Sequence, residues 1–106
     1  MDPNHVNAVA ILTPAPGKKD RLQEVLVELI AQVEANEPET LQYQMFWSEG
    51  SQEFVFIEKY KNQEVLQAHA QTDYFKKVME VGASEQLLAK PLEVKLFNLP
   101  VGGFAR

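Results

Sequence analysis

Three stretches of this chain are apolar at successive positions: Val9-Ala10-Ile11-Leu12, Phe54-Val55-Phe56-Ile57 and Leu96-Phe97. Each is short and rich in branched or aromatic residues, so each reads as part of a β-strand. Neighbouring side chains on a strand project to opposite faces. A sheet built from these segments therefore carries apolar side chains front and back, whereas an antiparallel sheet covered on one side only alternates cleanly. Helices from the same chain can bury one face. At roughly 25 cal/mol per Å² of apolar surface, leaving the other face in water is costly, because net domain stability is small. A second copy of the sheet is the simplest cover, and two-fold self-association is the commonest oligomeric arrangement. A homodimer packed sheet to sheet is expected.

The remaining segments fall into an alternating order. Residues 6–13 form strand one, and Pro14-Ala15-Pro16-Gly17 breaks the chain. From Lys18 to Asn36, Leu22, Val25, Leu26, Leu29, Ile30 and Val33 recur at helical spacing. Pro38 ends that helix by disfavouring helical geometry before it. Leu41 to Ser48 alternates, with Leu41, Tyr43, Met45 and Trp47 on one side and Gln42, Gln44 and Phe46 on the other. Ser48 to Ser51 reads as a hairpin turn, and Phe54 to Tyr60 is strand three. Asn62 is placed to cap a short helix bearing Val65, Leu66 and His69, and Thr72 to cap a further one bearing Tyr74, Phe75, Val78 and Met79. Gly82 is expected to interrupt this second helix. A weaker segment spans Glu85–Ala89, and Leu92 to Leu99 is strand four. The order β-α-β-β-α-β is that of a ferredoxin-like α+β fold, an antiparallel sheet with helices on one face.

Length and charge narrow the function. The 106 residues suit a single domain, 1–106, with tails at 1–5 and 100–106. A net charge of −5 argues against nucleic acid and anionic membrane surfaces, which need clustered Lys and Arg. The chain has no cysteine, so disulfides, thiolate metal sites and cysteine nucleophiles are excluded. No apolar run approaches the ~18 residues of a membrane helix, and the first residues lack a signal-peptide pattern. A cytoplasmic protein is expected. With two histidines and no cysteines there is no metal-ligand spacing, and Gly102-Gly103 lies outside any strand-to-helix turn that could hold a phosphate.

The stretch from Phe54 to Phe75 resembles the signature of antibiotic biosynthesis monooxygenase domains. Glu58 and Tyr60 end a strand, Ala68-His69 lies in the short helix, and Thr72 and Phe75 open the next. Pro16-Gly17-Lys18 resembles the turn before the first helix of the same family, and Glu37-Pro38 and Leu41-x-Tyr43 resemble its entry to strand two, while Glu39 stands where the family often has glycine. The resemblance spans about Val6 to Leu99. It implies a dimeric α+β barrel, in agreement with the strand argument. It also implies either a cofactor-free monooxygenase acting with dioxygen on a small phenol or quinol, or a related activity. Lys95-Leu96-Phe97-Asn98, Tyr60-Lys61 and the Thr72 segment also resemble isomerases of a phosphorylated quorum signal, which would need cations such as Lys61, Lys76, Lys77 or Lys95 at the pocket mouth. A non-catalytic ligand-binding dimer is the third reading. Aligned on the strand-three motif, Met79, Tyr60 and Ala10 stand where haem-degrading relatives carry their iron-binding His, their Trp and their Asn, which argues against haem chemistry.

The candidate catalytic residues are His69, Glu58 and Tyr60. Histidine, as a residue type, titrates near neutrality and can act as a general base; a core histidine bonded to a carboxylate is the structural alternative. Glu58 shares a strand face with Phe54, Phe56 and Tyr60, where a carboxylate needs either a raised pKa or a partner. It is expected to orient His69, as carboxylates fix imidazole tautomers. Tyr43, Trp47, Phe56 and Phe75 are candidates for lining an apolar substrate pocket by stacking. No metal or cofactor is expected.

Overall fold

The computed structural model describes residues 2–106; Met1, the first residue of the expected tail, lies outside the described residues. The order is β1 (Val6–Leu12), α1 (Lys19–Asn36), β2 (Thr40–Ser48), β3 (Glu53–Tyr60), α2 (Gln63–Ala70), α3 (Asp73–Ser84) and β4 (Glu93–Phe97). The four strands form one sheet in the order β2-β3-β1-β4, every pair antiparallel. This is the expected ferredoxin-like α+β arrangement, with its second helical segment split into α2 and α3.

Registration decides which side chains share a face. Residues directly opposite on antiparallel strands point the same way. Leu12 stands opposite Phe54, which stands opposite Trp47; Ala10, Phe56 and Met45 form the next row; Ala8, Glu58 and Tyr43 the next. These rows face α1, whose Leu22, Val25, Leu26, Leu29 and Val33 close the core over them. Gly17, with φ +77°, makes the turn into α1 in a conformation that L side chains rarely adopt. Val9, Ile11, Val55 and Ile57 lie on the opposite face, partly exposed, and Phe46 and Phe97 on that face are 51% and 50% exposed. The described chain leaves this second apolar face open to water.

Three local expectations are corrected. Leu41 does not share the face of Tyr43. A bulge between Thr40 and Gln42 inserts it as an extra residue and leaves it 49% exposed. Gly82 does not break α3, which runs on to Ser84; one glycine costs a helix only about 1 kcal/mol. Strand four covers Glu93–Phe97 rather than Leu92–Leu99. The weak segment before it is stitched to the β1–α1 turn: Ala15 N donates to Leu87 O and Ala89 N to Thr13 O, both at 2.8 Å, and Leu87 is fully buried.

Both expected caps are present. The Asn62 side chain accepts from Val65 N at 3.0 Å. Thr72 Oγ1 accepts from Phe75 N at 3.3 Å and donates to His69 O at 2.8 Å, joining α3 to the end of α2. Thr72→Ala is expected to lower unfolding free energy by about 1 kcal/mol, read as a lower urea midpoint with an unchanged slope.

Candidate active site

A cavity of about 220 Å³ lies between the helices and the sheet. It exists because β1 carries alanines at 8 and 10, where larger side chains would fill the rows of Glu58 and Phe56. Leu26, Leu29, Phe75 and Met79 come down from α1 and α3, and Leu92, Val94 and Leu96 form the wall beside the sheet edge. The polar groups Glu58, Tyr60, Tyr43 and His69 also line this apolar space. Of the seven candidates named from sequence, the cavity collects six: His69, Glu58, Tyr60, Tyr43, Phe56 and Phe75. Trp47 is elsewhere. Its ring packs on Phe54 at 4.8 Å, its Nε1 donates to Glu49 at 2.8 Å, and the Lys19 ammonium sits 4.0 Å from its ring centre. Leu12 and Phe54, both large, fill the row that Trp47 belongs to.

His69 is 4% exposed. The rings of Tyr43, Tyr60 and Phe75 surround it at 5.0 to 5.4 Å between centroids. Its Nδ1 lies 2.9 and 3.2 Å from the two carboxylate oxygens of Glu37, and its Nε2 lies 3.5 Å from the Tyr43 hydroxyl. The carboxylate beside His69 is thus Glu37, not Glu58 as the sequence suggested; Glu58 instead accepts a short hydrogen bond from the Tyr60 hydroxyl. Glu37 terminates α1 and also accepts from Thr40 Oγ1 at 2.9 Å and from the Tyr74 hydroxyl. In the sequence Glu37 stands out only as part of the Glu37-Pro38 step that ends the first helix and leads into strand two. It lies 32 residues from His69, and no spacing rule joins them; the return of β2 beside β3 does.

Burial governs ionisation here. Glu58 is raised from 4.5 to about 6, chiefly by burial; the Tyr60 hydrogen bond opposes the shift and the negative charge of Glu37 adds to it. Burial, followed by the charge of Glu58, pushes Tyr43 and Tyr60 far above the ordinary phenol range, so both keep their protons. Tyr74 is pushed up to about 12 by burial, then by its hydrogen bond to Glu37.

A carboxyl group whose folded pKa exceeds its unfolded value is penalised once ionised. Its stabilising contribution is complete below the unfolded value and is lost as pH rises through the folded one. The wild type is therefore expected to lose roughly 2 kcal/mol relative to Glu58→Gln between pH 4.5 and 7.5. Paired urea titrations across that range check this; a constant difference between the two proteins would contradict it.

The fold and cavity define a class: a ferredoxin-like α+β protein with an apolar chamber lined by a buried histidine and a hydrogen-bonded tyrosine–carboxylate pair. The chain belongs to the antibiotic biosynthesis monooxygenase family, whose model matches residues 6–81. It is 32% identical over 85 residues to an uncharacterised protein of Synechocystis sp., covering 79% of this chain and 56% of that one, so it spans about half the length of that relative. A candidate antibiotic biosynthesis monooxygenase from Caulobacter crescentus has the same fold, with TM-score 0.82, 28% identity and coverage of 92% of this chain and 91% of the other. A structure from Nitrosomonas europaea at 17% identity shares the fold with TM-score 0.83, covering 95% of each chain. Among the described residues no helix is long and apolar enough to cross a membrane.

Proposed function

We propose that this chain is a cytoplasmic, cofactor-independent monooxygenase acting on a small, electron-rich phenol or quinol. The observation that carries this reading is an apolar cavity lined by His69, whose Nδ1 is held by Glu37 and whose Nε2 has no closer protein partner than the Tyr43 hydroxyl at 3.5 Å. At about 220 Å³ the chamber lies below the roughly 300–1,000 Å³ of drug-sized pockets. It suits a molecule of one or two rings. His69 takes the proton of a substrate hydroxyl, directly or through a water. The resulting anion is rich enough in electrons to reduce dioxygen. One oxygen atom forms a bond to a ring carbon, the O–O bond breaks, and the other leaves as water. The electrons come from converting the quinol to a hydroxyquinone, so quinol and dioxygen balance against hydroxyquinone and water. Tyr43, which keeps its proton, is placed to donate to developing negative charge, while the Tyr60 proton is committed to Glu58.

The same reading includes a homodimer joined through the open sheet face, since Phe46, Phe97, Val9, Ile11, Val55 and Ile57 lack a cover within the described chain. A phosphorylated substrate fits less well. None of Lys61, Lys76, Lys77 and Lys95 lines the cavity; Lys61 pairs with Glu39 at 2.7 Å, and Lys95 lies opposite Val9 on the far face. The test is oxygen uptake by metal-free protein with a panel of one- and two-ring quinols. Uptake above a denatured control, with one water formed per dioxygen, is expected. Product formed without oxygen consumption points to an isomerase, and ligand binding with neither points to a non-catalytic pocket; both defeat the proposal.

A further inference from the structure

We propose that Glu37 sets the tautomer of His69, holding the ring with its proton on Nδ1 and leaving Nε2 as the proton acceptor of the cavity. The catalytic consequence rests on the monooxygenase reading; the tautomer itself does not.

Glu37 Oε1 is 2.9 Å from Thr40 Oγ1 and 2.9 Å from His69 Nδ1, while Oε2 is 3.2 Å from the same nitrogen and takes the Tyr74 hydroxyl. An ionised carboxylate only accepts, and each of these three partners can donate. The arrangement that satisfies every group puts a hydrogen on Nδ1. A neutral imidazole carries one ring proton, so Nε2 is then bare. Its neighbour Tyr43 keeps its hydroxyl proton and has one to offer a bare Nε2, 3.5 Å away, so that side of the ring is compatible with an acceptor there. Glu58, the other carboxylate of the chamber, is engaged by Tyr60. Burial makes the preference consequential: the Glu37 side chain is 11% exposed and that of His69 4%, so water offers little substitute for a lost partner.

The positioning is also structural in origin. Glu37 closes α1, Thr40 opens β2, His69 belongs to α2 and Tyr74 to α3. One carboxylate therefore sets the ring orientation from four parts of the chain, as an outer carboxylate does for a histidine in other catalytic or metal sites.

The experiment uses the full chain labelled with ¹⁵N-histidine and long-range ¹H–¹⁵N correlation at pH 8, with His5→Gln to assign the two rings. The wild type is expected to show His69 with a protonated Nδ1 and an unprotonated Nε2. The reverse tautomer, or two protonated nitrogens, overturns the proposal even if no variant folds. Glu37→Gln offers Nδ1 either a carbonyl or an amide N–H, so both tautomers become populated. Tyr74→Phe removes one donor to Glu37 and leaves the tautomer as in wild type; an equal effect of both variants would assign the control to the network rather than to Glu37. With quinol oxidation as the readout, Glu37→Gln is expected to lower kcat by roughly 10–100-fold with KM little changed. Wild-type kcat despite mixed tautomers removes the catalytic role. The predicted tautomers without oxygen uptake by any protein remove the monooxygenase reading and leave the assignment of Glu37 in place.

Discussion

On the proposed monooxygenase reading, His69→Ala is expected to lower quinol-dependent oxygen uptake by about 10²–10⁴-fold, the span a positioned general base contributes. The cavity walls are apolar, and His69 carries the one lining nitrogen that is both basic and without a short protein partner. Glu58 is the competing base, but the Tyr60 hydroxyl occupies it and burial favours its protonated form more than in an ordinary glutamate. The alanine variant keeps Thr40 and Tyr74 as donors to Glu37, so the turn after α1 retains two of its three side-chain contacts. Near-native circular dichroism should accompany the loss, and substrate binding measured by fluorescence quenching should fall much less than turnover. If uptake survives in His69→Ala and disappears in Glu58→Gln, the base has been assigned to the wrong residue.

Val55→Glu is expected to convert the proposed sheet-to-sheet dimer into a folded 12.0 kDa monomer. Val55 lies on the open face between Ile11 of β1 and Phe46 of β2. In an isolated chain a glutamate there reaches water, so folding should persist. In a face-to-face dimer the two-fold axis places the charge in the interface twice, and each unpaired buried ion costs several kcal/mol. Association, rather than folding, bears the penalty. Sedimentation velocity at micromolar concentration distinguishes the cases: wild type as a dimer and the variant as a monomer with the same far-ultraviolet spectrum. A wild type that sediments at the monomer mass would end the sheet-to-sheet proposal outright.

The strands and helices were legible because their signals are local and redundant. Six apolar positions at helical spacing define α1, and β3 alternates so regularly that Phe54, Phe56, Glu58 and Tyr60 all face the helices. Leu41 was misread because one inserted residue reverses every side assignment before it, and nothing in Thr40-Leu41-Gln42 marks the bulge. Gly82 was given too much weight as a breaker, since residues on either side keep α3 helical. The site was legible in part. His69, Glu58, Tyr60, Tyr43, Phe56 and Phe75 line one chamber, whereas Trp47 shares their sheet face but lies in a row that Leu12 and Phe54 fill. Telling those rows apart requires the register of β1 against β3, which depends on long-range pairing.

The position of Glu37 bears on how relatives of this chain should be sorted. The recognisable stretch from Phe54 to Phe75 contains the imidazole but not the group that holds its Nδ1. Two proteins could agree at every letter of that stretch and differ at the residue closing the first helix. They would share a signature while presenting the same ring nitrogen in opposite protonation states to whatever occupies the chamber. Grouping such proteins by the acid at that distant corner, rather than by the signature, would separate those equipped to pull a proton from those equipped only to offer one.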